Sequence, residues 1–338
     1  MKLILAKLLI LTVLLSACQD KEPQRSVVVY TSVDQVYSEP ILKQFEEKTG
    51  IRVLAVYDVE AAKTTGLVHR LLAEKDRPQA DVFWNGEFAQ TLMLKERGVL
   101  ASYHSPASAD LPARYFDPEG YWTAIAGRAR VLLINKNFVS PVDYPGTLAG
   151  LAAGKWPGEK IGIASPLFGT SATHAAALFA AWEPERARAF FEELKTRGVR
   201  VVDGNSVVRD LVANGQLYLG LTDTDDACGA LKNGAPVALI FLDQDEKGLG
   251  TLVIPGTVAT IANAPHPREG QVLLDFLLSK EVEEKLVVSG WSQIPLRPAN
   301  IASDCGLPSE VKGMEIELSA IVQQLEPVRR ELTEVFIR

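Results

Sequence analysis

The chain has 338 residues, a formal net charge of −7, and a composition that is 47% hydrophobic and 23% charged. This is the balance of an ordinary globular protein, not of a disordered or membrane-embedded one. With no basic excess there is no electrostatic footprint for nucleic acid, and that class of partner is set aside.

Lys2 and Lys7 accompany an apolar run that ends at Leu15, and the small residues Ser16 and Ala17 precede Cys18. Residues 1–17 therefore read as a secretory signal peptide. The ending resembles a bacterial lipobox, which makes Cys18 the lipid-carrying first residue of the mature protein. No later stretch reaches the roughly 18 uninterrupted apolar residues of a spanning helix, so the lipid anchor is the expected membrane contact. The expected location is the periplasm or cell envelope. Residues 18–26 are polar, contain Pro23 and read as a tether. The roughly 310 residues that follow exceed what one hydrophobic core organises, which predicts two lobes. Cys228 and Cys305 are either one disulfide or two separate thiols, because sequence does not show whether they meet.

Residues 26–31 (SVVVYT) predict a short buried strand. A polar loop over 32–38 follows, holding Asp34 as a ligand or a turn residue, and then a helix over 40–48 closed by Gly50. A strand over 51–57, a helix over 61–74 and a strand over 81–84 complete a βαβαβ alternation, the pattern of a parallel sheet. Glu87 sits where that third strand gives way to a helix over 88–97, either as a ligand or as a first-turn acid favoured by the helix dipole. Two long extended stretches, 121–135 with Arg128 and Arg130 on one face and 250–262, read as passages between lobes built from discontinuous sequence. The two arginines either pair with the acidic cleft, contact an anion or stay solvated, the commoner outcome for strand arginines.

Between these passages lie strands over 160–165, 199–202 and 237–242, and helices over 174–181, 185–198, 205–214 and 227–233. Gly169, Thr170 and Ser171, ahead of the first of these helices, group N–H and hydroxyl donors that suit an oxyanion or act as plain caps. The stretch GQLYLGLTDTDDACG (215–229) drives an apolar strand into Asp223, Asp225 and Asp226. Like charges this close resist burial unless they are solvated or face something positive. Their place beyond the carboxyl end of a strand is where open α/β sheets bind ligands. A bound cation is the expectation, with a solvated acidic helix cap as the alternative. Helices over 268–278 and 281–288, a proline-bounded turn at 295–298 and a helical period over 309–338 close the chain.

His69, His104, His174 and His266 are scattered, and no HExxH, GxSxG or P-loop occurs. No enzyme and no enzyme cofactor is expected; an exported metal-dependent hydrolase using the Asp cluster is a remote alternative.

Seven segments recur in the order and spacing of one family: VVVYTS (27–32), FEEKTGIRV (45–53), ADVFW (80–84), GRARVLLINK (127–136), FGTSAT (168–173), NSVVRDLVANGQ (205–216) and PLRP (295–298). In these the chain resembles the periplasmic ferric-ion-binding proteins of ABC importers, a branch of the type II solute-binding proteins. The resemblance implies an α/β, two-lobed fold with two crossing strands at the hinge and a ligand held between the lobes. The implied lobes are 27–126 with 255–302, and 127–254 with 303–338. By position Asp34 falls where the family places a first-loop His, Glu87 lies within one residue of its Glu, and Gly169 to Ser171 match its anion turn. The family's tyrosine pair falls on Asp225 and Asp226.

The implied metal ligands are thus Asp34, Glu87, Asp225 and Asp226, with Asp223 beside them and the oxyanion on Gly169, Thr170 and Ser171. Carboxylates alone form a hard oxygen cage suited to ferric and divalent ions equally. The expected function is capture of a metal ion with a synergistic oxyanion by a monomeric lipoprotein and its delivery to an ABC importer permease. An organic cation or zwitterion, such as a polyamine or an aminoalkyl phosphonate, is the alternative that spans the same two poles.

Overall fold

The computed structural model describes residues 24–58, 65–153, 155–297, 305–308 and 311–337. The expected signal peptide, Cys18, most of the tether, the start of the helix expected over 61–74 and the lobe boundary expected at 302 lie outside the described residues. Among the described residues no helix is long and apolar enough to cross a membrane.

The strands are β1 (Ser26–Thr31), β2 (Arg52–Tyr57), β3 (Val82–Asn85), β4 (Leu100–Ala101), β5 (Thr123–Asn135), β6 (Ile161–Ala164), β7 (Arg200–Val202), β8 (Leu219–Asp223), β9 (Val237–Ile240) and β10 (Val253–Ile261). They join in the order β2-β1-β3-β10-β5-β8-β6-β7, with β4 on β10 and β9 on β5. β1 pairs in parallel with β2 and β3, and β6 with β7 and β8, as the βαβ alternation requires. β5 spans both halves. Its residues 123–129 pair antiparallel with β10, and its residues 130–134 pair with β8. The two extended passages read from the sequence therefore meet each other, and the fold is the expected two-lobed one.

The crossing is irregular. Ala126 has φ 49°, the β5–β10 register shifts between Pro255 and Gly256, and the 292–294 segment docks on Gly127. Ser292 Oγ accepts from Gly127 N at 3.1 Å and donates to Gly127 O at 2.8 Å, and Ile294 N donates to the same carbonyl at 3.0 Å. A Cβ on Gly127 would stand 2.7 Å from Ile294 O, so glycine is required for that approach.

The helices are α1 (Gln35–Thr49), α2 (Thr65–Ala73), α3 (Ala89–Glu96), α4 (Leu148–Ala152), α5 (Gly169–Ala181), α6 (Pro184–Thr196), α7 (Asn205–Ala213), α8 (Thr224–Lys232), α9 (Pro267–Leu277), α10 (Lys280–Ser289) and α11 (Leu318–Phe336). One core packs α1, α9 and α10 on β1, β3 and β10 around Phe45, Trp84 and Leu274. Another packs α5, α6 and the C-terminal half of α11 around Leu132, Phe191 and Leu332. α11 does not belong to one lobe alone: Ile321, Val322 and Leu325 join Phe88 and Ala89 of the first half and Ala176 and Ala177 of α5 in a buried seam.

Three helices begin earlier than their sequence signals. α1 starts five residues ahead of Pro40, because Asp34 O accepts from both Tyr37 N and Ser38 N while the Ser38 hydroxyl turns back to Val33 O. α5 begins at Gly169, whose φ of 51° makes the entry turn, and α8 begins at Thr224. Each shift moves polar residues from a loop into a first helical turn, and so decides what faces the cleft.

Candidate functional site

β6 and β8 run side by side and stop at Ala164 and Asp223, and α5, α7 and α8 start beside their carboxyl ends. The first turns of all three helices contribute to one narrow cleft. From the second half come Ser165, Gly169, Thr170, Ser171, Asp203, Gly204, Asn205, Asp223, Asp225 and Asp226; from the first come Ser32, Asp34 and Gly86, with Arg128 and Trp291 at the crossing. Helix N-termini carry unsatisfied N–H groups and a partial positive charge, which favours negative charge beside them, whether of the lining carboxylates or of a ligand. The structure thus gathers Asp34, Gly169, Thr170, Ser171, Asp223, Asp225 and Asp226 into one crevice.

Glu87 stays outside it. The side chain is fully buried, accepts from Ala89 N at 2.7 Å and Gln90 N at 2.9 Å, and so caps α3. It also accepts from Asn85 Nδ2 at 3.2 Å and from Thr173 Oγ1 on α5 at 2.9 Å, which ties the two halves together. Burial pushes its carboxyl above the usual range, and these four donors only partly offset that. The first-turn reading of Glu87 describes its place better than the ligand reading.

The carboxylate cluster meets its positive charge inside the protein. Arg130 lies opposite Asp223 in the β5–β8 ladder and donates from Nη1 to Oδ1 at 2.7 Å. Thr170 Oγ1 and Asn205 Nδ2 donate to Asp223 Oδ2 at 2.6 and 3.1 Å. Burial alone would raise the Asp223 carboxyl, but the Arg130 and Arg128 guanidinium groups outweigh it and hold the group below the usual carboxylate range. Arg128, two residues earlier on the same strand face, donates from Nη1 to Asp225 Oδ2 at 2.9 Å, with Asp223 Oδ2 at 3.4 Å. Its Nη2 donates to Gly86 O in the first half, and its guanidinium lies 5.2 Å from the Trp291 ring centroid. Burial works against the Arg128 charge, yet Asp225 and Asp223 hold its pKa above the ordinary value. The Nε atoms of Arg128 and Arg130 are buried without a hydrogen-bond partner.

Asp226 is nearer the mouth, accepting from Arg209 Nη1 and Thr222 Oγ1, each at 3.2 Å. Asp225, Asp226 and Asp34 all act on Tyr37 of α1: burial first and then these three carboxylates push its phenol up to about 12. His174 on α5 is buried behind the cleft. Desolvation and then the neighbouring Arg130 drive its pKa down to about 3, so it is neutral. Among the described residues no group of three or more His, Cys, Asp or Glu side chains is arranged to hold a metal ion. Cys228 of α8 and Cys305 form a disulfide, with Cα atoms 5.5 Å apart.

Sequence reasoning missed Ser32, Ser165, Asp203, Asn205 and Trp291; pairing of Arg128 and Arg130 with the acidic cleft was among its alternatives, and the structure shows it. Asn205 had a signal, since an Asn at the start of a helical period next to the Asp cluster is a capping candidate. Which Asp each arginine meets had none, because strand register decides it.

A family model described as bacterial extracellular solute-binding protein matches residues 26–292. The chain is 25% identical over 322 residues to Iron uptake protein A1 of Synechocystis sp., covering 92% of this chain and 87% of that one. It is 23% identical over 266 residues to a putative 2-aminoethylphosphonate-binding periplasmic protein of Salmonella paratyphi A, covering 77% and 75%. Iron-bound HitA from Pseudomonas aeruginosa superposes with a TM-score of 0.81 at 23% identity, over 92% of this chain and 99% of that one, which supports the two-lobed fold. The relatives bind solutes and are not enzymes, and the chain belongs to the bacterial extracellular solute-binding proteins.

Proposed function

We propose that this chain is the periplasmic solute-binding component of an ABC importer, lipid-anchored through Cys18, and that its cleft captures an organic oxyanion that also carries positive charge, an aminoalkyl phosphonate being the type. One observation carries the reading. The first turns of α5, α7 and α8 converge on the cleft, while the two deepest carboxylates, Asp223 and Asp225, are already paired with Arg130 and Arg128. The inner wall therefore suits an anion, and Asp34, Asp203 and Asp226 also line the cleft, where carboxylates can meet an ammonium group. A polyamine would bring no anionic group of its own to the three helix starts. Ligand contacts to both walls stabilise the closed arrangement of the lobes, and a permease reads that state.

The names of Iron uptake protein A1 and iron-bound HitA favour a second reading, a metal ion carried with an anion. In that reading Asp34 and Asp226 supply oxygens and the anion on the α5 turn supplies the rest.

The test is thermal unfolding of the full-length chain, stripped of ligand, with 2-aminoethylphosphonate, phosphate, spermidine, ferric citrate or manganous chloride. A ligand at a hundredfold excess over its Kd adds about 2.7 kcal/mol of stability. Stabilisation by the phosphonate and not by the metals is expected. Stabilisation by ferric citrate alone moves the assignment to the second reading.

A further inference from the structure

Resting on the reading of the cleft as an oxyanion site, we infer that Arg128 biases the cleft against metal: its guanidinium fills the inner seat between Asp223 and Asp225 that a metal ion would take, and so excludes free metal cations from that seat. A metal that bridges two carboxylates needs one oxygen edge from each. Arg128 Nη1 already takes that position, 2.9 Å from Asp225 Oδ2 and 3.4 Å from Asp223 Oδ2.

The guanidinium is also pinned where it stands. Its other terminal nitrogen is held by Gly86 O, and the Trp291 ring lies beside it. Arg128 and Trp291 are both buried, at 6% and 1% exposure, so the charged group has no path into water without breaking these contacts. Arginine keeps its proton at any accessible pH, and its flat fork matches two carboxylates and a carbonyl at once in a way a lysine ammonium does not. A metal entering here must eject a buried, paired cation, whereas an oxyanion meets the same guanidinium as an attractive wall beside the α5 turn.

Charge-conserving logic supplies the test. In Arg128→Gln the Asp223 and Asp225 carboxylates lose this shared cation, and a hard metal restores it. The expected result, read by thermal unfolding and calorimetry of the full-length chain, is that Arg128→Gln gains stabilisation by manganous or calcium chloride that the natural chain lacks, and binds 2-aminoethylphosphonate about tenfold or more weakly. A folded Arg128→Gln that shows no metal-dependent stabilisation overturns the inference and leaves the oxyanion reading standing, provided that the natural chain binds the phosphonate. A natural chain that itself binds manganous ion or ferric citrate, and not the phosphonate, overturns the oxyanion reading as well.

Should Arg128→Gln not fold, Asp225→Asn decides, since it keeps the shape and removes one counter-charge of Arg128. It should bind 2-aminoethylphosphonate several-fold more tightly. Unchanged affinity would mean that the Arg128 charge is not felt by a ligand, and the inference falls.

Discussion

Arg130 stands directly opposite Asp223 across the β5–β8 ladder, Nη1 to Oδ1 at 2.7 Å, with 5% and 1% of the two residues exposed. A pair this deep contributes little against an apolar pair of equal volume but is costly to break on one side. Arg130→Met should therefore cost about 3–5 kcal/mol in urea unfolding at neutral pH, and the double change Arg130→Met with Asp223→Leu should recover most of it. The sign with pH follows from the depressed Asp223 pKa. Its stabilisation is present above the unfolded carboxylate pKa and disappears as pH falls through the lower folded value. The penalty of Arg130→Met should thus shrink in acid. Equal stability of the natural chain and the single variant at neutral pH would remove this pair from the list of what holds the cleft.

His174 gives a second pH dependence with its own window. Buried beside Arg130, it has a folded pKa of about 3 against an ordinary 6.5. In that interval the unfolded chain binds a proton that the folded chain refuses, so stability falls as pH drops from 6.5 towards 3, by at most about 1.4 kcal/mol per pH unit. His174→Gln should flatten that part of the stability profile. If the two profiles run parallel, the imidazole is not held neutral by its surroundings.

These two residues also mark the limit of what sequence makes visible. The βαβ units, both crossing strands and the crevice beyond β8 follow from alternation, caps and apolar runs, which are local signals. The charge state of the crevice is not local. Read along the chain, Asp223 and Asp225 suit a bound cation, and Arg128 and Arg130, more than ninety residues away, are one candidate partner among several. Only the β5–β8 register brings the guanidinium groups under them. Helix starts failed for a related reason: Pro40 and His174 are the visible punctuation, but the first turns of α1 and α5 are set by backbone bonds at Asp34 and by the left-handed Gly169.

The disulfide closes a long loop. Cys228 and Cys305 are 77 residues apart, and loop-closure entropy for that span predicts about 4 kcal/mol of stabilisation. Cys228 lies in the same helix as Asp225 and Asp226, but α8 is independently fixed through Ala129 N donating to Thr224 Oγ1 at 3.1 Å. The Cys228→Ser, Cys305→Ser variant should therefore unfold at lower temperature yet, while folded, keep ligand affinity within about threefold. A large loss of affinity in the folded variant would show that the bridge positions the Asp cluster rather than only restricting the unfolded chain.

Gly127 tests the hinge without touching the cleft. It pairs with Pro255 of β10 at the register shift, three residues before β5 passes to β8 and next to Ala126 with its positive φ, and its carbonyl receives Ser292 Oγ and Ile294 N. A methyl group there would meet Ile294 O at 2.7 Å and Leu296 Cδ2 at 3.1 Å. A main-chain carbonyl cannot rotate away as a long side chain can, so Gly127→Ala must push the 292–296 segment off the crossing. Overpacking of this kind costs about 1–3 kcal/mol. Trp291, which flanks Arg128, directly precedes that segment, so the displacement loosens the floor of the cleft as well as the hinge. The expected outcome is a lower unfolding temperature together with weaker ligand binding, although no cleft residue is changed. Small-angle scattering with and without ligand separates the two contributions. A variant that contracts on binding as the natural chain does, but binds more weakly, has lost the floor. One that no longer contracts has lost the hinge, and unchanged affinity and contraction would show that the 292–296 clasp on Gly127 has no part in closure.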